Sequence, residues 1–458
     1  MERRGTGIIV DLATDRSSSA VSQIIAGLHD RIPLSALTTP WTKERHEEEL
    51  QGNYSQSLET SLNHRNQNDQ LFRTVDLLDQ SKHLGPHHHP YQVILLSNVE
   101  VTPLPISCSN TIVSEDYIDL LFKAKTQLDE RPGPGCEVQV LTSLVMKKFW
   151  EEVCLHLFSP LTPWCVWGVP VEDQAPSVRQ PVAPGCIEHS VRDYLRTVGD
   201  PGLVNIWRSE VIPNHQFNAG FHDRHGGVSQ FGAVASMNMV YSIYKPDSLL
   251  VVEENRRRLA QAAGFDPASM YVTKAEHAKT IWVVGTDQPL KFDGLVTDQA
   301  GLTLCAAGAD CCVILLADTR TGAVGAVHAG WRGTVQMAVQ ALLATMSRQF
   351  GSRPTNIRAT IGPSICANHF LLLPEEAKPL TDLDPTLTWP SQKHPHLVHV
   401  ELVRANVVQL IKAGVPEKYI DTSNAHCTLE NERFFSYKRD GKPFGNQVGF
   451  ISCRSKHS

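Results

Sequence analysis

With 458 residues, 41% apolar and 20% charged side chains, and a formal net charge of −6, the chain has ordinary globular composition. It has no basic excess that would suit nucleic acid or an acidic membrane surface, and no run approaches the ~18 apolar residues of a spanning helix. The 11 cysteines are odd in number and form no CxxC pair, and the apolar run after Met1-Glu2-Arg3-Arg4 is broken at Asp11, so no secretory leader is expected. These features predict a reducing, cytoplasmic setting, with organelle association as a variant, where cysteines act as core residues, metal ligands or nucleophiles.

Residues 1–92 are predicted to hold one amphipathic helix near Ala20 to His29. A polar tract follows and ends in His87-His88-His89; it has too little apolar surface to offset the entropy of ordering. Residues 93–172 read as a small α/β module suited to protein partners. Its predicted elements are a strand at Val93–Leu96 and a helix from Tyr117 to Glu130, stopped by Pro132-Gly133-Pro134-Gly135. A second helix is predicted from Val140 to Phe158, with Leu141, Leu144, Val145, Phe149, Val153 and Leu157 near helical spacing. The stretch from Asp173 to Gly185 is rich in breakers, and a helix from His189 to Val198 follows; together they make 173–204 a connecting segment.

Residues 205–458 alternate short apolar strands with helices and glycine turns, the pattern of an α/β domain with mixed sheet layers. Arg256-Arg257-Arg258 sits in an acidic helical stretch and reads as a solvated face. Cys312 to Ala317 is a continuous apolar run, as a strand buried on both faces would be. Ala323 to Val327 reads as a second strand. One helix is then predicted to place Val335, Ala338, Val339, Leu342, Leu343 and Met346 on one face and to stop near Gly351.

The chemistry concentrates where these strands end. Asp310-Cys311 precedes the first strand and His328 ends the second. Gly330-Trp331-Arg332-Gly333-Thr334 then enters the helix, offering backbone donors, a hydroxyl and a guanidinium to an anion. A thiolate, an imidazole and an open position suit zinc, although buried core thiols are the commoner fate of such cysteines. Asp310 is either a ligand-orienting or proton-shuttling carboxylate or a purely structural one. Arg224-His225-Gly226-Gly227-Val228-Ser229 reads as a phosphate loop, with Arg224 and Ser229 as ligands, or as a tight hairpin with incidental charge. Phe434 to Gly441 reads as an aromatic strand plus a charged turn.

Val327-His328-Ala329-Gly330-Trp331-Arg332-Gly333-Thr334 resembles the hallmark of the bacterial YfiH-type family, also called the multicopper polyphenol oxidase or laccase-domain family. Arg224 to Ser229, Asn255 to Leu259, Ala309-Asp310-Cys311, Ile361 to Ile365 and Phe434 to Gly441 resemble further blocks of that family, in its order. The sequence departs from the pattern at Gly308, Val313, His222-Asp223 and Cys366-Ala367-Asn368-His369. The resemblance implies a YfiH-like catalytic domain behind a smaller N-terminal module. It also implies metal ligation by His277, Cys311 and His328, and spacing alone would never select His277.

The activity the resemblance implies is phosphorolysis of adenosine, inosine, guanosine and S-methyl-5'-thioadenosine, with zinc-dependent deamination of adenosine to inosine. The expected partners are thus purine nucleosides and phosphate, the latter on Arg224, Ser229, Arg332 and Thr334. Two other classes stand beside it. One is a copper-dependent polyphenol oxidase, which the H-x-H pairs and the H-C-H segment of multicopper sites would support. His87-His88-His89 and His394-Pro395-His396 lie in polar stretches, however, and His426-Cys427 is followed by Thr428. The other is an immunometabolic adaptor that acts through its N-terminal module.

Overall fold

The computed structural model describes residues 6–11, 91–97, 110–114, 116–129, 137–169 and 186–454. The helix predicted near Ala20 and the His87-His88-His89 tract lie outside the described residues. The chain divides into two compact units, Met1–Tyr194 and Leu195–Ser458.

The first unit is built on parallel strands β1 (Thr6–Asp11), β2 (Tyr91–Ser97), β3 (Asn110–Val113), β4 (Glu137–Ser143) and β5 (Trp164–Val169). They lie in the order β3-β2-β1-β4-β5. Because β1 is central, the sheet reaches back into the 1–92 segment that sequence reading set apart. Helix α1 (Tyr117–Asp129) falls where its spacing predicts. The helix expected over Val140 to Phe158 is half strand: β4 occupies its start, and α2 (Lys147–Leu157) begins only after a short 3-10 turn. Val138, Val140 and Thr142 are buried in alternation, which is strand periodicity. As a strand the segment also gains ladders to β1 and β5. Helix α3 (Cys186–Thr197) carries the chain into the second unit.

The second unit begins with strands β6 (Ile206–Trp207) and β7 (Phe217–His222) and helix α4 (Leu249–Ala263). Strands β8 (Met270–Val272), β9 (Ile281–Val283), β10 (Gly294–Thr297), β11 (Thr303–Gly308), β12 (Cys312–Asp318) and β13 (Val324–Ala329) follow. Next come α5 (Trp331–Val335), α6 (Ala338–Phe350), β14 (Ile357–Ile361), β15 (Leu371–Leu372), α7 (Pro374–Leu383), β16 (Thr388–Pro390) and β17 (Val398–Val400). Helix α8 (Leu402–Lys412), β18 (Ile420–Asp421), α9 (Tyr437–Asp440) and β19 (Gln447–Cys453) complete it. One sheet has the order β18-β14-β12-β13-β10-β9, a second β6-β7-β19-β11-β8, and a small third β15-β17-β16.

The two large sheets face each other. Phe217, Ala219 and Phe221 of β7 share a core with Val313, Leu315 and Ala317 of β12. On its other face β12 turns Cys312, Ile314 and Leu316 toward Val339, Leu342 and Met346 of α6 and Ala405 and Val408 of α8. All seven residues of β12 are therefore buried, as the apolar run predicts. The single helix expected after Thr334 is two. Met337, at φ 65°, breaks it between α5 and α6, and α6 ends on Gly351 in the left-handed region.

The arginine triplet on α4 is not a solvated face. Arg258 is buried, and its guanidinium donates to Glu254 (2.8 Å), Gly226 O (3.1 Å), Leu195 O (2.9 Å) and Val198 O (2.6 Å). Arg256 donates to Met239 O from two nitrogens, at 3.1 and 3.0 Å. Arg257 alone of the three stays toward the surface, on Glu254. These bonds replace water for charges inside the fold. They also draw residues 195–198 into a unit expected to begin at 205. Arg258→Met takes the donors from Gly226 O and Val198 O and leaves Glu254 with Arg257 as its remaining arginine partner. It is expected to destabilise the second unit by about 1–3 kcal/mol, measured by urea denaturation of the full chain; no measurable loss would show that these bonds are dispensable.

Candidate metal centre

Antiparallel pairing sets Val313 opposite His328 and Cys312 opposite Ala329. Cys311, one residue before β12, thus meets the end of β13. His277 arrives from the loop between β8 and β9, at φ 63°. One ligating atom from each of His277, Cys311 and His328 lies within 4.8 Å of the others. The two imidazole rings are perpendicular, 4.8 Å apart. His328 is buried, Cys311 half-buried and His277 exposed, so the cluster opens to solvent on one side. Gly330 has to be glycine: a Cβ there would lie 2.8 Å from Cys311 Sγ and 3.2 Å from His277 Cδ2. Two imidazoles and a thiol around an open side fit a zinc-type ion.

Sequence reasoning missed Asp293. It is fully buried just before β10 and accepts the backbone N–H groups of His277 (2.9 Å) and Ala278 (3.0 Å). His328 Nδ1 lies 3.1 Å from its Oδ1. Its own carbonyl accepts His328 N–H at 2.8 Å. Burial alone would raise its pKa, but the His328 contact and the loop N–H groups outweigh burial and hold it below the usual carboxylate range. With Nδ1 turned to Asp293, His328 would offer Nε2 to a metal.

The same cluster polarises Cys311. Burial opposes its thiolate, yet the positive charge of His328 and hydrogen bonds from both histidines bring its pKa down to about 6. His328 rises to about 9: burial works against its cation, but the Cys311 thiolate and Asp293 more than compensate. At neutral pH the metal-free pair is therefore a thiolate and an imidazolium.

The other expected site residues separate into two groups. Asp310, at φ 81°, accepts Thr428 Oγ1 (2.6 Å) and Lys438 N–H (2.7 Å). Both of its oxygens are thus occupied in fastening the segment before Cys311 to α9 and to the Cys427–Thr428 turn. The Ser229 and Thr334 hydroxyls are engaged inside the fold. Ser229 is buried, donates to Asp247 (2.8 Å) and accepts from Asn255 (2.9 Å). Thr334 is buried, donates to Ala329 O (3.3 Å) and accepts from Asn406 (3.1 Å). Arg224 spends two nitrogens on Ala235 O (2.7 Å) and Gly232 O (2.8 Å) and stacks over Phe435. Arg332 is exposed, lies over the Trp331 ring at 4.3 Å, and forms no ion pair among the described residues. The helix it begins has only five residues, too short for the macrodipole expected of the turn. Phe434 to Gly441 is not a strand; α9 forms there, capped by Ser436 on Arg439 N–H.

A family model described as multi-copper polyphenol oxidoreductase laccase matches residues 218–454, and the chain belongs to that family. Within it, the chain is 36% identical over 275 residues to purine nucleoside phosphorylase LACC1 of Mus musculus, a match covering 58% of this chain and 63% of the mouse protein. It is 32% identical over 254 residues to purine nucleoside phosphorylase YlmD of Geobacillus stearothermophilus, covering 52% and 90%. The crystal structure of that YlmD superposes with a TM-score of 0.47 at 30% identity, over 52% of this chain and 92% of YlmD.

Asp293 orients His328 and fixes the loop that carries His277, so its loss should loosen any bound metal. Asp293→Ala is expected to weaken zinc affinity about 10- to 100-fold, measured by competition with a chromophoric chelator. Unchanged affinity would remove Asp293 from the centre.

Proposed function

We propose that the second unit is a purine nucleoside phosphorylase. Its substrates are phosphate and adenosine, inosine, guanosine or S-methyl-5'-thioadenosine, and its products are the free base and the ribose- or methylthioribose-1-phosphate. The same centre, with zinc on His277, Cys311 and His328, deaminates adenosine to inosine. The observation that carries the reading is the convergence of those three side chains, in a segment shared with relatives named as purine nucleoside phosphorylases. When bound, zinc on three protein ligands supplies a Lewis acid with an open coordination position.

Phosphorolysis forms a bond from a phosphate oxygen to C1′ while the C1′–N9 bond breaks and the purine takes up a proton. Phosphate must be held beside the nucleoside, and Arg332 is the side chain best placed to do so. It stands two residues beyond Gly330, is exposed, and its stacking on Trp331 leaves its N–H edge available. Arg224, largely committed to backbone carbonyls, holds the loop in place. Asp293 keeps His328 oriented, and Asp310 keeps Cys311 presented.

A copper polyphenol oxidase draws support from the family's description. That chemistry needs several copper ions and many imidazoles. Among the described residues, the two groups able to hold a metal contain three histidines between them. That donor set favours single-ion Lewis-acid chemistry. Protein partners, if any, are assigned to the first unit.

Two substitutions test the reading. Cys311→Ala is expected to lose the metal of this centre together with phosphorolysis and deamination. Arg332→Ala is expected to raise the phosphate KM roughly 10- to 150-fold, the loss of one charge-assisted hydrogen bond, while deamination changes far less. Assays follow hypoxanthine, adenine, inosine and ribose-1-phosphate. Equal losses of both reactions in Arg332→Ala would reject a dedicated phosphate contact, and full activity in Cys311→Ala would reject the centre.

A further inference from the structure

A second group of soft ligands stands apart from His277, Cys311 and His328. Cys366 and His369 belong to one turn, Cys427 and Glu430 to another. In the first, Cys366 caps a 3-10 helix (Ala367–His369), and His369 N–H donates to Cys366 O at 3.0 Å. In the second, Asn431 N–H donates to Cys427 O at 3.0 Å. Residues i and i+3 of a 3-10 turn share a side, so the first turn presents its thiol and imidazole together. The turns are pinned to each other by backbone. Ser364 N–H donates to His426 O (3.0 Å) and Thr428 N–H to Ser364 O (3.1 Å), a parallel bridge that pairs Cys427 with Ser364, which stands shortly before Cys366.

One ligating atom from each of the four side chains lies within 4.8 Å of all the others. Glu430 Oε1 and His369 Nε2 already meet at 2.7 Å. Tetrahedral zinc with sulfur at ~2.3 Å and nitrogen or oxygen at ~2.0 Å brings ligands to within ~3.3–3.8 Å of one another. The group therefore needs about 1 Å of closure, which rotation of partly exposed side chains supplies. The cysteines and His369 are half-buried and Glu430 is exposed, so an ion has a route in from solvent.

We propose that Cys366, His369, Cys427 and Glu430 form a second zinc site, structural because four protein ligands leave no open position. Its place in the fold gives it a task. Ile365, next to Cys366, donates its N–H to Asp310 O at 2.9 Å. Thr428, next to Cys427, donates its hydroxyl to Asp310 Oδ1 at 2.6 Å. Lys438, whose N–H donates to Asp310 Oδ2, also sends Nζ to His369 O. An ion joining the two turns would thus clamp both sides of the residue that precedes Cys311. The site acts as a strap on the segment that presents Cys311 and does not touch substrate.

The test uses full-length protein stripped with a chelator and reloaded with Co2+, read by thiolate-to-cobalt charge-transfer absorption. In Cys311→Ala, any such band must come from thiolates outside the first centre. The expected result is about one equivalent of thiolate-bound cobalt in Cys311→Ala, lost when Cys366→Ser and Cys427→Ser are added. Absence of the band in Cys311→Ala overturns the proposal, and so does its survival after the two serine substitutions. If the cysteine variants fold poorly, Glu430→Gln and His369→Asn leave both thiols in place, with circular dichroism as the folding check. Each is expected to weaken cobalt binding at this site by more than the about 10-fold that loss of an outer hydrogen bond costs; unchanged affinity in both overturns the assignment. Titration of free thiols in the unfolded protein gives a further outcome: loss of two thiols restored by reductant means that Cys366 and Cys427 pair as a disulfide, which also overturns it. None of these readings depends on nucleoside turnover, so the proposal stands or falls apart from the activity assigned to the first centre.

Discussion

A carboxylate taken out of water must be met by donors or it takes up a proton. Asp293 is met from two directions, by the N–H groups of the loop that carries His277 and by the imidazole of His328. Those directions belong to parts of the chain that are distant in sequence. The loop between β8 and β9 has backbone pairing only at its ends, from Lys274 to Phe292 and from Thr280 to Asp293 and Gly294, and at His277 its backbone is in the left-handed region. The carboxylate supplies the acceptors that such a backbone leaves unsatisfied. It also fixes the ring of His328, so a single charge sets the spacing between the two histidines. Cys311 then follows from sheet register, which places the start of β12 against the end of β13. Gly330 permits the approach by keeping its backbone clear of the sulfur.

The charged residues in the blocks that resemble the family act mainly inward. Arg258, Arg256 and Arg224 each end on backbone carbonyls, and Arg439 donates to Thr428 O and Phe434 O. A loop such as Arg224 to Ser229 has few ladder partners of its own, so its carbonyls need donors from elsewhere. Guanidinium serves because it offers five N–H groups and keeps its charge when buried. Asn255 does the same for this loop with an amide, accepting Val228 N–H and donating to Ser229. Of the arginines in these blocks, Arg332 has its charge turned to solvent instead.

What the sequence made legible follows from how local each signal is. The run Cys312 to Ala317 reads as a strand buried on both faces, and it is, because sandwich packing and helices cover it. Gly351 and the helix it ends are likewise legible, since the cap is encoded within the last turn. The helix expected from Val140 failed because β-branched alternation over 138–142 was overruled by apolar residues farther on at helical spacing. Ser229 and Thr334 looked like ligands because a hydroxyl in a glycine turn has no sequence mark that says where it points. Their partners, Asp247 and Asn406, lie 18 and 72 residues farther along the chain. His277 came only from the resemblance and Asp293 not at all, because a lone Asp before a short strand carries no periodicity. The same holds for Cys366, His369, Cys427 and Glu430, which become neighbours only through the pairing of Ser364 with Cys427.

The electrostatics of the first centre bear on how it would be filled. A free thiol near its ordinary pKa must lose a proton before it can ligate, and that cost weakens binding at neutral pH. Here the proton has already moved, because Cys311 sits at about 6 while His328 sits at about 9. The thiolate therefore exists before any ion arrives, stabilised by the imidazolium beside it. A cation bound there would take the place of the His328 proton as the neighbouring positive charge, with His328 as a neutral ligand. The Cys311–His328 pair would give up one proton in the range between the two values, and two below the lower one, where acid has protonated the thiolate. Asp293 is a carboxylate beside the imidazolium of His328, since that contact and the loop N–H groups hold its pKa down, and a metal on Nε2 would leave the Nδ1 contact in place. The buried charge of Asp293 thus matches the cation in both states, and the site exchanges proton for metal with little rearrangement of its hydrogen bonds.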